Sequence, residues 1–72
     1  MSSIKRQPVV SSNVKSVGYD PKADVLEIEF HSGDVYQYDQ VHANTYNAML
    51  RAASPGAYVH RNVIGKFSYR KV

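Results

Sequence analysis

The stretch "LEIEFHSGDVYQYDQV", residues 26–41, alternates apolar and polar side chains on both sides of a glycine-containing turn. Alternation with a period of two is typical of half-buried β-strands, and two such runs joined by a short loop predict a β-hairpin. The first run keeps its aliphatic side chains on one face, and the second places Tyr36 and Tyr38 together on one face. The register of the hairpin therefore decides whether the two tyrosines belong to the core or to the solvent face.

Two loop lengths are open at this turn. A two-residue turn would place Tyr36 opposite Glu29 and leave both tyrosines in solvent beside the glutamates of the first strand. A three-residue loop, residues 31–33, would place Tyr36 opposite Ile28 and move both rings to the apolar face. Glycine in the last position, here Gly33, is typical of the three-residue loop with a bulge. We therefore predict that both tyrosines pack inward, and that the outer face carries the acidic side chains Glu27, Glu29 and Asp39.

One strand and one helix are predicted around this hairpin. Residues 14–20, "VKSVGYD", form a β-prone run that ends in the turn "DPKAD". A helix over residues 43–53 follows the hairpin, because its apolar side chains recur at helical spacing, at Tyr46, Met49, Leu50 and Ala53. Pro55 disfavours helix at the residue before it, and Gly56 suits a left-handed termination, so we expect the helix to end there.

Residues 57–72 leave two structures open. Val59, Val63 and Phe67 are four apart, as on a helix, whereas Phe67 and Tyr69 alternate, as in a strand. The predicted fold class is therefore α+β: a three-stranded antiparallel β-meander with one helix on one face and a C-terminal segment, short helix or strand, covering the edge. We expect residues 9–72 to form the single domain and residues 1–8 to form a flexible N-terminal tail.

Length and composition limit what the chain can do. Seventy-two residues provide one small core and little room for an enclosed active site. There is no cysteine, which excludes disulfides, thiolate nucleophiles and cysteine-based zinc sites. The N-terminal residues lack the apolar run of a secretory signal, and nothing approaches the length of a membrane span. We therefore expect a cytoplasmic protein with no membrane partner.

Charge is distributed unevenly along the chain. Residues 1–40 carry four basic and six acidic side chains, whereas residues 41–72 carry five basic and no acidic ones. An unopposed basic half indicates an anionic partner, although the same cations could simply solubilise a surface. Aromatic rings alternate with these cations, as in proteins that bind single-stranded RNA. Tyr58 and Phe67 could instead complete the core, and Tyr69 could do either. The predicted RNA-binding residues are Arg51, Arg61, Lys66, Tyr69, Arg70 and Lys71.

Catalytic and metal-binding constellations are not apparent in the sequence. Ser11 and Ser12 could be imagined as nucleophiles, but serines that precede a strand usually hydrogen-bond the local backbone. The histidines, His31, His42 and His60, are 11 and 18 residues apart and form no tight pair of the kind that metal sites use. We predict that the protein is not an enzyme and needs no cofactor.

Four segments together resemble the KTSC domain: "VVSSNVKSVGYD", "LEIEFHSGDVYQYDQV", "Y..ML.AASPGAYV" and "GKFSYRK". This small module is found at the C-terminus of some lysyl-tRNA synthetases and as free-standing proteins, and the resemblance covers residues 9–70. It implies a compact domain with an RNA-binding role. The sequence departs from the family pattern at His42, where proline is usual, at His60, where asparagine is usual, and at Ile64, where a basic residue is common.

Two functions of different classes remain open at this point. The first is a non-enzymatic RNA-binding module that acts through phosphate contacts from the C-terminal cations. The second is a module for protein interaction or self-association, since edge strands pair readily with other chains. In that case Val25 and Val35, apolar residues among polar neighbours on the outer face, could form part of the contact.

Overall fold

The computed structural model describes residues 4–72 as one antiparallel sheet with two helices against it. The five strands lie in sequence order, each hydrogen-bonded to the next. The α+β class and the antiparallel meander are confirmed, but the sheet has five strands where three were predicted, and a second helix is present. The elements are β1 (Arg6–Pro8), β2 (Val14–Asp20), β3 (Val25–Phe30), β4 (Val35–Tyr38), α1 (Ala43–Arg51), α2 (Pro55–Asn62) and β5 (Tyr69–Lys71).

The hairpin of β3 and β4 has the register that the three-residue loop predicts. Tyr36 lies opposite Ile28, and Tyr38 lies opposite Leu26. Gly33 adopts a φ of +97°, a backbone conformation that side chains of other residues rarely accept. Tyr38 is buried with 4% of its surface exposed, and Tyr36 is half-buried. Both tyrosines therefore face the core, as predicted.

The N-terminal segment is not a tail from Arg6 onward. Arg6–Pro8 form edge strand β1, which pairs antiparallel with β2. Its proline lies in an edge strand, where the missing N–H can be tolerated. A three-residue strand is too short to show a period of two, which is why the sequence pattern did not predict it. The expected tail at residues 1–3 lies outside the described residues.

The outer sheet face differs from the predicted exposed acidic surface because Arg6 reaches across it. Arg6 and Glu27 both lie opposite Gly18, on its two neighbouring strands. A β-carbon at Gly18 would overlap the Lys5 backbone carbonyl and the Ile4 side chain, so glycine lets the N-terminal segment lie close to β2. The Arg6 guanidinium contacts the Glu27 carboxylate at 2.6 Å. Gln37 donates a second hydrogen bond to that carboxylate at 2.8 Å. Glu27 is consequently fully buried, with 0% of its surface exposed.

Two local signals place the helices. His42 stands outside α1 as its N-cap: its Nδ1 accepts a hydrogen bond from the Asn44 backbone N–H at 3.0 Å. It thereby satisfies one of the backbone donors that the start of a helix leaves unpaired. The helix ends at Arg51, two residues earlier than predicted, and Ser54 then caps α2, in which Pro55 occupies the first turn.

Gly56 does not terminate a helix, contrary to the sequence prediction. It lies inside α2, buried, and the Ser11 side chain approaches it so closely that a β-carbon there would overlap Ser11 Oγ. Glycine is thus required at position 56 because of the long-range contact with Ser11. Left-handed glycine conformations occur instead at Gly33 and at Gly65, which lies in the turn after α2.

The C-terminal segment contains both structures that the sequence left open. Val59 and Val63 are fully buried, as their helical spacing indicates. After a turn, Tyr69–Lys71 pair with β4 as the far edge strand. Helices and sheet share one core, formed by Val14, Val17, Leu26, Ile28, Tyr38, Val41, Met49, Val59 and Val63. Within residues 4–72, neither helix has the length and apolar character needed to cross a membrane.

Candidate nucleic-acid interface

Two of the cations predicted to bind RNA are opposed by acids in the folded chain. Arg70 Nη1 lies 2.6 Å from Asp39 Oδ1, and Lys71 Nζ lies 3.0 Å from Asp34 Oδ1. Both acids belong to the N-terminal half of the chain, and pairing of β5 with β4 brings them to the cations. The C-terminal positive charge that is unopposed in sequence is therefore partly balanced in space.

The pair between Lys71 and Asp34 shifts both groups toward their charged forms. Its hydrogen bond and the Lys71 charge lower the pKa of Asp34, and the same interactions with Asp34 raise the pKa of Lys71. Both side chains are exposed to solvent. Exposed ion pairs contribute little to stability because water and salt screen them. Separation of Lys71 from Asp34 would therefore cost the fold little.

The remaining cations lie elsewhere on the molecule. Arg51 and Arg61 occupy the last turns of α1 and α2, where a positive charge interacts favourably with the negative end of the helix dipole. Lys66 lies in the turn between α2 and β5. All three side chains are exposed, and they form none of the ion pairs seen among residues 4–72. The structure thus distributes the predicted cations over the helix ends and the sheet edge.

Tyr69 is the exposed aromatic ring of this edge. It lies opposite Tyr38 on β5, and 62% of its surface is exposed. Its ring centroid lies 5.6 Å from that of Tyr36 in an edge-to-face arrangement and 5.8 Å from that of Tyr38. Tyr58 and Phe67, for which packing was one of two alternatives, are partly buried against the core. Tyr69 is therefore the member of the three that remains available for stacking.

Tyr36 also lines an open groove of about 440 Å³. We call it the His31/His60 groove; it is lined by Ser12, Asn13, Phe30, His31, Ser32, Tyr36, His60 and Ile64. Pairing of Val14 with Phe30 brings the start of β2 to the end of β3, and α2 supplies His60. Sequence reasoning missed this site because its residues come from three separate segments and form no motif.

The polar atoms of the groove are already ordered by hydrogen bonds. His31 Nε2 lies 2.9 Å from the Ser11 carbonyl oxygen, and His60 Nε2 lies 3.3 Å from Asn13 Nδ2. Ser11 Oγ accepts from the backbone N–H groups of Asn13 and Val14, the local role that the sequence predicted for it. Within the described chain, no group of three or more potential ligand side chains could hold a metal ion.

Comparison with known proteins connects this fold to a family. A family model described as the KTSC domain matches residues 10–67. An uncharacterized protein of Stutzerimonas stutzeri (strain A1501) is 40% identical over 58 residues, covering 81% of this chain and 82% of that protein. The crystal structure of a KTSC domain protein from Yersinia pestis has a TM-score of 0.93 and 38% identity, covering 97% of this chain and 99% of its own. The resemblance seen in the sequence is confirmed.

A second group of relatives consists of much longer proteins. The lysine–tRNA ligase of Nostoc sp. (strain PCC 7120) is 33% identical to this chain over 61 residues. The match covers 85% of this chain and 11% of the ligase. The domain thus corresponds to a small part of that ligase.

Proposed function

The chain belongs to the KTSC domain family, and we propose that it is a small, non-enzymatic module that binds single-stranded RNA. The proposal includes a cytoplasmic location. One support is the similarity to part of a lysine–tRNA ligase, an enzyme whose substrate is an RNA. A second is the net charge of +3, which favours a polyanionic partner.

The observation that carries the proposal is the combination of Tyr69 and Lys71 on one side of edge strand β5. Residues two apart in a strand face the same side, so the exposed ring and the Lys71 side chain lie on one face of β5. A base stacked on an exposed aromatic ring contributes about 1–3 kcal/mol, with little dependence on its identity. Lys71 can bind the adjoining phosphate once it leaves Asp34. Proteins that bind single-stranded nucleic acid combine cations that contact the backbone with aromatic rings on which bases stack.

Further cations extend the contact electrostatically. Arg61 and Lys66 are exposed and Arg70 lies next to Lys71, although on the opposite face of β5. Such dispersed charges predict weak binding, largely independent of sequence, whose affinity falls steeply as salt concentration rises. Arg51, at the end of α1, contributes in the same manner.

The test is fluorescence anisotropy with a labelled single-stranded RNA at several salt concentrations. Tyr69→Ala should weaken binding by about 5- to 150-fold, the loss of one stacked base. Replacing Arg61, Lys66 and Lys71 together by Gln should abolish binding at every salt concentration. The matched control replaces Lys5, Lys15 and Lys22, exposed cations of the other half of the chain, by Gln. Equal losses in the two triple variants would contradict the proposed location.

Self-association through the outer face, the alternative function, has less support from the geometry. Val25, expected to form part of such a contact, is buried with 7% of its surface exposed. Edge strand β1 contains Pro8, and β5 has three residues, both of which discourage pairing with another chain. Static light scattering checks this alternative, and a stable dimer without RNA affinity would favour it over the proposal above.

A further inference from the structure

We propose that the His31/His60 groove binds one unstacked nucleobase of the RNA and gives the module a base preference. This inference rests on the proposed function and adds to it a second, more selective site. Bases of single-stranded RNA are commonly recognised when they are splayed out of the strand, stacked or packed on apolar side chains, and hydrogen-bonded along their edges. The groove has a wall suited to each of these two kinds of contact.

The apolar wall consists of Phe30, Tyr36 and Ile64. The Phe30 and Tyr36 ring centroids are 5.8 Å apart in an edge-to-face arrangement, so the two rings present surfaces of different orientation. Ile64 has 38% of its surface exposed and so offers an apolar contact to an occupant of the groove. The volume of about 440 Å³ lies in the range of small-molecule binding sites. A flat, apolar base face fits this wall.

The polar wall consists of Asn13 and His60, whose side chains are 3.3 Å apart and exposed. An asparagine amide offers both donors and an acceptor, and so complements the mixed edge of a base. Asn13 Nδ2 can only donate, so His60 Nε2 is the acceptor, and a neutral His60 carries its proton on Nδ1. The Ser11 carbonyl can only accept, which makes His31 Nε2 a donor held in place by that contact.

The charge of the groove and its position favour RNA over a protein side chain as the occupant. None of the lining residues is acidic, so nothing in the wall repels a phosphate. Tyr36 belongs both to the groove and to the aromatic edge: its ring contacts Tyr69, and its strand position lies opposite Lys71. A strand with one base stacked on Tyr69 therefore places its neighbouring nucleotides beside the groove. An apolar protein segment would not need the amide and imidazole groups.

The direct test is an NMR titration of the labelled protein with AMP, CMP, GMP and UMP separately. We expect saturable shifts of the Asn13, His60 and Ile64 backbone amides, with different affinities for the four nucleotides. Absence of shifts at these amides with all four nucleotides would overturn the inference. Shifts with a short leucine-containing peptide but with no nucleotide would assign the groove to a protein partner and also overturn it.

Variants distinguish base recognition in the groove from RNA binding by the module as a whole. His60→Ala and Asn13→Ala alter exposed side chains, and they should reduce the difference in affinity between the best and worst homopolymeric RNA by about fivefold or more. Tyr69→Ala should weaken every RNA but leave the nucleotide shifts in the groove. If the unmodified protein binds no RNA but shows the groove shifts with mononucleotides, the proposed function alone is refuted. An unchanged base preference in both groove variants would refute the groove.

Discussion

Replacing Arg6 by methionine tests the packing of β1 on the sheet. Methionine keeps much of the unbranched side-chain length but removes the guanidinium that lies 2.6 Å from the Glu27 carboxylate. Glu27 is fully buried, so its charge would remain in the structure and lose its contact with Arg6. If residues 1–8 formed a flexible tail, the same substitution would have almost no effect on stability.

The structure sets the expected magnitude. Removing one partner of a buried ion pair costs about 3–5 kcal/mol, because the remaining charge is left desolvated. We expect the free energy of unfolding to fall by about 3 kcal/mol, since Gln37 still donates to Glu27 and Arg6 itself is partly exposed. A domain of this length has a free energy of unfolding of roughly 4–11 kcal/mol, so the variant should lose a large part of it.

Urea unfolding followed by circular dichroism measures this loss in Arg6→Met, Glu27→Met and the double variant. Apolar replacement of both partners of a buried pair is often neutral or stabilising. The double variant should therefore be more stable than Arg6→Met, with a coupling energy of about 1–3 kcal/mol. The control is Lys15→Met, which removes an exposed cation of the neighbouring strand. A loss below about 1 kcal/mol in Arg6→Met, or additive effects in the double variant, would refute the reasoning.

Two further outcomes follow from the structure. Gly33→Ala should destabilise by about 1 kcal/mol or more, because φ is +97° there although the space is open, whereas Gly33→Asn should cost less in the same urea assay. Burial raises the pKa of Tyr38 and of Tyr46, and burial together with a hydrogen bond to Asp24 raises the pKa of Tyr19. These three tyrosines should contribute their full stabilisation at pH values below the unfolded-state pKa of 10.0. That contribution should be lost as the pH rises through their higher folded-state pKa values. Phenolate absorbance against pH checks this, and titration of all six tyrosines at the unfolded value would contradict it.

Local signals in the sequence were sufficient for the central hairpin and the first helix. The position of Gly33 fixed the loop length, and the loop length fixed which face Tyr36 and Tyr38 occupy. Helical spacing predicted α1 within two residues of its observed end. These features are set by interactions between residues close in the chain, such as turn dihedrals and side-chain periodicity.

The candidate site was predicted in composition but not in arrangement. The cations and Tyr69 were identified as a group, and whether they bind RNA remains a prediction. Their neighbours were not foreseen, because the pairing of Lys71 with Asp34 depends on β5 lying beside β4. The His31/His60 groove had no signal in the sequence at all.

The sequence by itself determined the α+β class, the hairpin register and the family, because each follows from short-range patterns or from the order of segments. Only the tertiary structure decided that Arg6 neutralises Glu27, that Gly56 makes room for Ser11, and that Asn13 meets His60. These contacts join residues 21, 45 and 47 positions apart. A strand of three residues is too short to show a period of two, so the sequence does not indicate which strand it pairs with. That pairing is seen only in the folded sheet.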